Sequence, residues 1–441
     1  MSPVLVGVIG LICFVVLMAI GVPIPFSMLL VGFVGCCVLR DPGAASQIMV
    51  SELTTQFSSY ALTVGALFGL MGFLANYTGL GKQLFRAVNS YIGHWRGGLA
   101  MATQVACAGF GAICGSVPAT IGTMSAIAYP QMKERGYAPG MAGASIAAGA
   151  QISTIIPPSA TFIIYCMATN TSVGKQFMAG ILPGILLTVA NCIAIYAYVT
   201  MKPASAPRAP KASWKDRWTD TKQGGLIQIA IVFVISVGGM FIGWFTPTEA
   251  GAVGAVGMLV VTLFSKQLNF RKYVDSCIAG VELQTMVLLL LGCASVFSRF
   301  INLTTLPTVI GEFCLQLLEN GIAPQLLMIV ILLLFFIMGM FADLISVTLM
   351  TIPIFYPIVV DTLGYDTLWF GVIISLLICL GGLTPPMGAS VFMLKNSCRD
   401  PDLYLTRAFA ACVPYFLSFM AVCIILVFAP QIVTILPQIL G

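Results

Sequence analysis

The sequence predicts an all-α polytopic membrane protein made of two inverted-topology repeats, each with a re-entrant hairpin and a proline-broken helix. Of its 441 residues, 59% are hydrophobic and only 8% are charged, whereas a soluble protein carries about 25% charged residues. Apolar runs of about 20 residues recur along the chain, and each is long enough to cross a bilayer as a helix. Residues 109–165 also reappear, recognisably, about 228 positions later. An internal repeat of this kind is typical of transporters whose site lies between two halves.

Four pairs of landmarks define the repeat, in the same order and with nearly the same spacing. The pairs are Tyr129-Pro130 with Tyr356-Pro357, Gly136-Tyr137 with Gly364-Tyr365, Gly143 with Gly371, and Pro157-Pro158 with Pro385-Pro386. Because chance rarely preserves both order and spacing, we interpret the two segments as copies of one structural unit.

The apolar segments predict ten membrane-spanning helices. They lie near residues 3–22, 25–39, 58–77, 142–170, 178–200, 226–244, 248–265, 282–300, 367–394 and 408–436. Two of them, 142–170 and 367–394, contain the double prolines and are therefore predicted to be broken helices. Two more apolar stretches, 99–130 and 324–360, are interrupted in the middle. Each could be one crossing plus a fragment, or a hairpin that enters and leaves the membrane on the same side.

The distribution of basic residues assigns the two sides of the membrane. If both interrupted stretches are hairpins and the N-terminus is outside, seventeen of the twenty Lys and Arg residues fall in predicted cytoplasmic segments. These are Lys82, Arg86, Arg96, Lys133, Arg135, Lys202, Arg208, Lys211, Lys215, Arg217, Lys222, Lys266, Arg271, Lys272, Lys395, Arg399 and Arg407. The exceptions are Arg40, Lys175 and Arg299. This bias is the one that the positive-inside rule requires.

The hydrophilic stretch 202–224, rich in Pro, Ala and Lys, predicts a cytoplasmic linker between a first repeat, 1–201, and a second repeat, 225–441. Five crossings precede the linker and five follow it, so the second repeat is inverted relative to the first. We interpret the positive charge of the linker as a consequence of the charge rule rather than as a site for lipid or nucleic acid. Residues 80–97 mix apolar and basic side chains at helical spacing, which predicts a helix in the cytoplasmic interface.

Each repeat contains two interruptions that suit a binding site. A small polar cluster interrupts the apolar sequence at 115–120 and again at 342–347, and a double proline interrupts it at 153–159 and at 381–388. The candidate substrate-binding residues of the polar clusters are Ser116, Thr120, Asp343 and Ser346. Helix breaks at membrane depth are tolerated only where the freed backbone groups face protein or a watery cavity. Freed carbonyls and hydroxyls suit a small hard cation such as Na+, and the N-terminal ends of half-helices favour an anionic substrate.

Two charged residues are further candidates. Asp343 is the only acid placed deep in an apolar segment, where an ionisable side chain is expected to have a function. It could help to bind Na+, orient the hairpin tip or carry a proton; alternatively, it is a buried carboxylate satisfied by neighbouring amides. Arg299, at the end of a span, could pair with the acid group of a substrate or could extend to the outer surface.

Enzymatic motifs are absent from the sequence. Gly81-Lys82 and Gly174-Lys175 are each followed by Gln, so neither completes a phosphate-binding P-loop. Neither a metalloprotease motif, nor a serine-hydrolase motif, nor a cysteine/histidine cluster occurs. We therefore expect no enzyme, and no cofactor apart from Na+ as a coupling ion.

Several blocks of sequence resemble the large membrane subunit of TRAP (tripartite ATP-independent periplasmic) transporters, within the ion transporter superfamily. Residues 129–137, YPQMKERGY, are similar to a PEM-K-RGY block of that family, and residues 155–159, IIPPS, are similar to its IPPS block. Further similar blocks are AGILPG at 179–184, FTPTEA at 245–250, GMFAD at 339–343 and GLTPPMG at 382–388. The blocks run in family order from about residue 20 to residue 400, which is nearly the whole chain.

The resemblance implies an elevator mechanism, in which a transport domain of two hairpins and two broken helices slides against a scaffold. It implies a small four-helix TRAP membrane subunit that enlarges the scaffold, a periplasmic substrate-binding protein, and a small organic anion that lies between the hairpin tips. By motif position, the Na+ sites of the family fall at Ser116, Ser153, Pro157, Gly339, Gly381, Thr384 and Met387. The first tip is usually Ser- and Ala-rich in the family, whereas this chain carries Pro118 there.

The resemblance therefore predicts the large membrane subunit of a Na+-coupled, binding-protein-dependent symporter in the bacterial inner membrane, which imports a carboxylate or sulfonate. A stand-alone carrier of the same superfamily, coupled to Na+ or to H+ through Asp343, is the first alternative. A channel is the second, although two offset oxygen cages suit alternating access better than a continuous pore. We expect a lipid bilayer around the chain and no nucleic-acid partner.

Overall fold

The computed structural model describes residues 2–77, 79–208, 211–222, 226–264 and 269–440, and every regular element in these ranges is helical. The α-helices are α1 (Pro3–Ala19), α2 (Ile24–Leu39), α3 (Pro42–Phe57), α4 (Thr63–Tyr77), α5 (Leu80–Ile92), α6 (Gly98–Cys114), α7 (Val117–Glu134), α8 (Pro139–Ile152), α9 (Ala160–Thr169), α10 (Val173–Met201), α11 (Trp214–Lys222), α12 (Leu226–Phe233), α13 (Gly239–Phe241), α14 (Pro247–Phe264), α15 (Phe270–Leu303), α16 (Leu306–Glu319), α17 (Pro324–Gly339), α18 (Leu344–Tyr356), α19 (Thr367–Gly381), α20 (Ala389–Cys398), α21 (Leu405–Phe428) and α22 (Gln431–Leu440). Lys266 and the linker residues 209–210 and 223–224, for which the sequence predicted a cytoplasmic position, lie outside the described residues.

Five helical segments in the described ranges are long and apolar enough to cross a membrane: Val173–Met201, Pro247–Phe264, Phe270–Leu303, Leu344–Thr362 and Leu405–Phe428. Two bent pairs raise the number to seven if each is one span: Pro42–Phe57 with Tyr60–Asn76, bent by 50°, and Trp214–Lys222 with Ile227–Phe241, bent by 55°. The sequence predicted ten crossings, whereas length and composition identify five to seven among the described residues, beside seven shorter apolar helices. Helix α1 ends at Ala19, before the predicted end of its span at residue 22, because the turn at Gly21 (φ +90°) and Pro23 follows it, whereas α2 matches its predicted span of 25–39 to within one residue.

Two helices were missed by the sequence analysis. The first is α3, which begins at Asp41, where the carboxylate accepts a hydrogen bond from the Ala44 N–H at 2.9 Å and Pro42 occupies the first helical position. The second is α11, which lies inside the predicted linker and packs against α5. The hydroxyl groups of Tyr91 and Thr221 lie 3.2 Å apart across this contact. The linker is therefore partly helical and partly docked on the protein.

The first half contains a helical hairpin, because α6 and α8 run in parallel. Gln104 Nε2 of α6 donates a hydrogen bond to the carbonyl oxygen of Ser145 of α8. One turn later, Cys107 Sγ of α6 lies 2.9 Å from the position that a Cβ would take at Gly149 of α8, and after a further turn Gly111 of α6 packs on Ser153. Contacts that advance together along two helices require both helices to point the same way. The intervening α7 must therefore return, as the hairpin prediction for 99–130 requires.

The second half repeats this arrangement with α17 and α19. The rings of Phe335 and Phe370 lie 5.7 Å apart, and one turn further along α17 a Cβ at Gly339 would lie 2.7 Å from Ile378 Cα. These two helices are also parallel, so that α18 returns between them; a hairpin at 324–360 that enters and leaves the membrane on the same side stays a prediction. The opposite orientation of the two halves across a bilayer stays a prediction.

Buried residues form two hydrophobic clusters. The larger one contains both hairpins and both broken helices, together with α10 and α21. The smaller one is built mainly from α1, α2 and α15, where Phe297 lies between Phe14 (ring centroids 5.3 Å apart) and Phe300 (6.3 Å). The smaller cluster meets α18 and α9 at its edge. The hairpins and breaks thus share one packed core, which a second core borders.

A polar cluster centred on the buried Asp400 joins the two halves at one end of the first hairpin. Asp400, in the loop between α20 and α21, accepts hydrogen bonds on Oδ2 from Lys133 Nζ at 2.6 Å and from the Tyr129 hydroxyl at 2.9 Å. Lys133 Nζ also lies 3.0 Å from Asp402 Oδ2. The Lys133 ammonium holds the pKa of Asp400 below its usual range. This set of contacts ties α7 of the first half to the second half.

Candidate functional site

The first tip, defined as residues 115–118, joins α6 to α7. Gly115 has a φ of +56°, which favours glycine, and a Cβ there would meet the carbonyl oxygen of Pro158. Ser116 begins α7, but its side chain makes no capping hydrogen bond to the first turn. Its carbonyl oxygen accepts from Thr120 Oγ1 at 2.8 Å. The start of α7 therefore keeps its positive end uncapped by any side chain.

The first break, residues 153–159, separates α8 from α9 and contains the cis bond Pro157–Pro158. Its hydroxyl groups are oriented by backbone carbonyls: Ser153 Oγ donates to that of Ala150 and Ser159 Oγ to that of Thr154, both at 2.6 Å. Pro157 is buried, as are all three hydroxyl residues. A hydroxyl that donates its hydrogen to a carbonyl keeps its lone pairs for a cation. The break is thus a buried, oxygen-rich segment.

The second tip, residues 340–343, joins α17 to α18, and it differs from the first tip in charge. Asp343 caps α18: its Oδ2 accepts from the Ser346 N–H at 3.2 Å and its Oδ1 from the Ser346 hydroxyl at 2.6 Å. Asp343 is exposed at the tip, whereas Ser346 is buried. The alternative of a carboxylate buried among neighbouring amides does not match this geometry, because the exposed carboxylate is bonded by the amide and the hydroxyl of Ser346.

The second break, residues 382–388, separates α19 from α20 and contains the cis bond Pro385–Pro386. Thr384 Oγ1 donates to the carbonyl oxygens of Leu380 at 2.8 Å and Gly381 at 3.0 Å. Gly381 permits close packing against the second tip, since a Cβ there would lie 2.7 Å from Met340 N. Met387 is exposed, with 54% of its surface accessible. The second break is thus open where the first is buried.

One cavity of about 240 Å³ brings these four segments together. Its polar lining residues are Ser116, Gln151, Thr154, Thr161, Asp343 and Ser390. Leu283 and Met286 of α15 contribute to an apolar wall. Asp343 is the one charged side chain among the described lining residues. The cavity therefore lies between the two tips, both breaks and the helix of the smaller core.

The predicted site residues divide into three groups in the structure. Ser116 and Asp343 line the cavity together. Thr120 and Ser346 are buried one turn behind the tips, and the predicted Na+ residues Ser153, Pro157, Gly339, Gly381, Thr384 and Met387 lie in or beside the breaks without lining the cavity. Arg299 lines a different cavity of about 350 Å³, with Glu52, Gln56, Asn170 and Tyr356. The structure thus brings the two tips together but does not bring Arg299 to them.

Sequence reasoning missed the polar residues that line the cavity from the helices. Gln151 Nε2 donates to Ser390 Oγ at 2.6 Å, which connects α8 of the first half with α20 of the second. Thr154 Oγ1 lies 2.9 Å from Cys379 Sγ and donates to the Gln151 carbonyl. A buried amide directly before a helix break was the available signal for Gln151, because a polar side chain in an apolar run needs a partner.

The donor set of the site limits the ions that it suits. Among the described residues, no three His, Cys, Asp or Glu side chains lie together as a metal site. The oxygen atoms at the breaks belong to hydroxyls and backbone carbonyls, which suit a hard alkali cation better than a transition metal. The assignment of Na+ to the residues named from the sequence stays a prediction.

Comparisons with known proteins agree with this architecture. The family model described as "Tripartite ATP-independent periplasmic transporter, DctM component" matches residues 11–432. The chain is 31% identical over 420 residues to an ectoine/5-hydroxyectoine TRAP transporter large permease protein of Ruegeria pomeroyi, covering 95% of each. It is 30% identical over 406 residues to a C4-dicarboxylate TRAP transporter large permease protein of Pseudomonas aeruginosa, covering 92% of each.

Two further similarities concern assembly and fold. An isethionate TRAP transporter permease protein DctMQ of Oleidesulfovibrio alaskensis is 30% identical over 424 residues, which are 95% of this chain and 64% of that protein. The crystal structure of the Alcanivorax borkumensis YdaH transporter shares the fold with a TM-score of 0.59 at 13% identity, over 88% of this chain and 90% of that one. The chain is a multi-pass membrane protein that belongs to the family of TRAP transporter large permeases.

Proposed function

We propose that the chain is the membrane subunit through which a Na+-coupled TRAP symporter imports a small organic anion across the bacterial inner membrane. The observation that carries this proposal is the cavity of about 240 Å³, which both tips and both breaks line. A site assembled from interrupted helices of two repeats is the arrangement that secondary transporters use for substrate and coupling ion.

The charges around the cavity support an anionic substrate bound together with a cation. The described lining residues include no Lys, Arg or His, so a bound carboxylate or sulfonate needs another source of positive charge. The uncapped start of α7 at Ser116 supplies a partial positive charge. Na+ held by the hydroxyls of Ser153 and Thr384 and by neighbouring carbonyls supplies the rest. The names of relatives that take up C4-dicarboxylates and isethionate agree with this substrate class.

Sodium coupling is energetically sufficient for accumulation. Carrying one net positive charge inward releases about 2.3 kcal/mol per 100 mV of membrane potential. Because each 1.4 kcal/mol is a factor of ten, this alone sustains a substrate gradient somewhat above tenfold. A chemical gradient of Na+ adds to it.

The separation of the buried residues into two clusters supports an elevator mechanism. The larger cluster, with both hairpins and both broken helices, is the proposed transport domain, and the α1–α2–α15 cluster belongs to the scaffold. A small TRAP membrane subunit would enlarge this scaffold, and a periplasmic binding protein would deliver the substrate. The relative named DctMQ, of which this chain covers 64%, supports a partner of the first kind.

Uptake into proteoliposomes tests the proposal. The chain and its small subunit are reconstituted, a candidate binding protein is added outside, and inward Na+ and K+ gradients are compared at the same imposed potential. We expect uptake only with Na+ and only with the binding protein, and a loss of uptake in Ser116→Ala. Equal uptake in both salts would exclude sodium coupling and would favour a proton carried by Asp343.

Arg299→Gln tests, in the same uptake assay, which of the two cavities binds the substrate. Because Arg299 does not line the cavity of the tips, we expect the apparent substrate affinity to stay within about twofold of the unmodified chain, whereas Ser116→Ala weakens it by about tenfold. The reverse order would assign the substrate to the Arg299 cavity.

A further inference from the structure

A third cavity, of about 470 Å³, lies where α5, the end of α7 and the linker meet, and it shares no lining residue with the cavity of the tips. Four cationic side chains line it: Lys82 and Arg86 from α5, Arg135 from the end of α7, and Lys211 from the linker. The one acid among the described lining residues is Asp220 of α11. The cavity therefore concentrates positive charge from three segments that are distant in sequence.

Most of this positive charge is not neutralised within the described part of the chain. Asp220 Oδ1 pairs with Arg86 Nε at 2.9 Å, which uses the only lining acid. The side chains of Lys82, Arg135 and Lys211 are exposed and make neither an ion pair nor a hydrogen bond with another described residue. Three uncompensated cations around one concave surface form a site for an anion with several acceptor oxygens, such as a phosphate group.

The fold holds the linker in place to build this cavity. Arg217 of α11 is 6% exposed, and its guanidinium lies 4.8 Å from the ring centroid of Trp214 and 5.7 Å from that of Tyr91 on α5. Together with the contact between Tyr91 and Thr221, this stacking fixes α11 on α5. Lys211 precedes α11 by three residues, so the docking of α11 keeps its charge beside Lys82. The linker is thus a structural part of the site.

The surroundings of the cavity favour a lipid over a soluble anion. The charge rule places this face in the cytoplasm, where the membrane surface carries anionic lipids. Three exposed tryptophans adjoin the lining segments: Trp95 (52% exposed), Trp214 (76%) and Trp218 (59%). Indole rings prefer the headgroup zone of a bilayer. The sequence alone favoured no lipid site in the linker, but the structure places Lys211 beside the basic residues of α5 and α7. We propose that this cavity binds the phosphate group of an anionic phospholipid headgroup and so anchors the linker and the first hairpin at the inner membrane surface.

Lipid retention by the purified full-length chain tests this proposal without reference to transport. The protein is delipidated in detergent and titrated with phosphatidylglycerol or phosphatidylcholine, and bound lipid is counted by native mass spectrometry. We expect phosphatidylglycerol to bind at least about fivefold more tightly than phosphatidylcholine. The double variant Lys82→Gln/Lys211→Gln should weaken phosphatidylglycerol binding by about tenfold, because each basic side chain near an anionic headgroup contributes on this scale.

The control removes the same charge from the same predicted face without touching the cavity. Lys215→Gln/Arg271→Gln alters two exposed residues that do not line it, and it should leave the preference unchanged. An equal loss in this control, or no preference in the unmodified chain, would overturn the proposal. Inorganic phosphate is titrated in a third arm. If millimolar phosphate displaces the lipid completely, the cavity is a site for soluble anions and the lipid assignment is wrong.

Discussion

The two hairpin tips occupy matching places in the repeat but present opposite charge to the same cavity. The first tip begins α7 at Ser116, whose side chain makes no capping bond, so the positive helix end stays available. The second tip begins α18 at Asp343, whose carboxylate accepts from both the amide and the hydroxyl of Ser346. The first tip is therefore suited to attract an anion, and the second to attract a cation or a proton.

The two breaks differ in a corresponding way. In the first break, Ser153 and Pro157 are buried, and Ser153 packs on Gly111 of the first hairpin, whereas in the second break Pro385 and Met387 are exposed. A repeated backbone thus supports two unequal environments, because the residues packed around each copy differ.

Substitution at Gly115 should have the largest effect. In Gly115→Ala the new Cβ meets the Pro158 carbonyl oxygen in a left-handed backbone conformation, which alone costs about 1–2 kcal/mol. We expect the first tip to separate from the first break and uptake to fall by more than about tenfold. Uptake and thermal unfolding of the same preparation measure the two consequences.

Gly364→Ala is the matched control. Gly364 has a similar φ of +72°, but no atom lies within 4 Å of the position that a Cβ would take there. It should therefore lose a comparable stability through the backbone and keep its uptake. Equal loss of uptake in both variants would show that left-handed strain, rather than the tip–break contact, controls transport.

Removing the hydroxyl of Thr384 should selectively weaken the response to Na+. Thr384→Val deletes the oxygen that bonds the Leu380 and Gly381 carbonyls at the second break, and the Na+ concentration for half-maximal uptake should rise by about tenfold or more. Thr384→Ser should stay close to the unmodified chain. Thr188→Val removes the same kind of hydroxyl-to-carbonyl bond within α10 and should leave the Na+ dependence unchanged; a similar rise there would assign the effect to helix packing.

Breaking the contact between Asp400 and Lys133 tests how much it stabilises the joined halves. The pKa of Asp400 is lowered by the Lys133 ammonium, so its contribution to stability is present above the unfolded pKa of about 3.9 and is lost as the pH falls through the folded pKa. Asp400→Asn should therefore lower the free energy of unfolding by about 1 kcal/mol at neutral pH. It should also reduce the further loss of stability that the unmodified chain shows below about pH 4. Thermal unfolding between pH 3 and pH 7 measures both effects. Asp402→Asn, at an exposed carboxylate, should change the profile little.

The sequence predicted those features that depend on backbone sterics. Pro157-Pro158 and Pro385-Pro386 located both breaks, because two prolines cannot continue a helix, and Gly115 marked the first tip. The predictions failed where side-chain partners decide the outcome. The sequence did not reveal that Asp343 caps α18 through Ser346, nor that Gln151 bonds Ser390, 239 positions away.

Variants that change the charge or the helix cap of a tip should have the smallest effects on stability. They test most directly whether the two tips differ in function because they differ in charge. Asp343→Ala removes the cap of α18 and should cost about 1 kcal/mol, whereas Asp343→Asn keeps a capping oxygen and should cost only a few tenths. Ser116→Asp should do the opposite at the first tip: it adds a cap to α7 and raises stability slightly. It also places a negative charge where the anion is proposed to bind.

These three variants separate capping from charge. If the tips act through charge, Asp343→Asn and Ser116→Asp both lower uptake while the unfolding temperature is nearly constant, and Asp343→Ala lowers both quantities. If the tips act only through helix capping, uptake follows the unfolding temperature in all three variants, and Ser116→Asp transports at least as well as the unmodified chain. The second result would refute the assignment of an anion-attracting first tip, because a carboxylate beside Ser116 cannot favour a second negative charge in a cavity without a cationic side chain among its described lining residues.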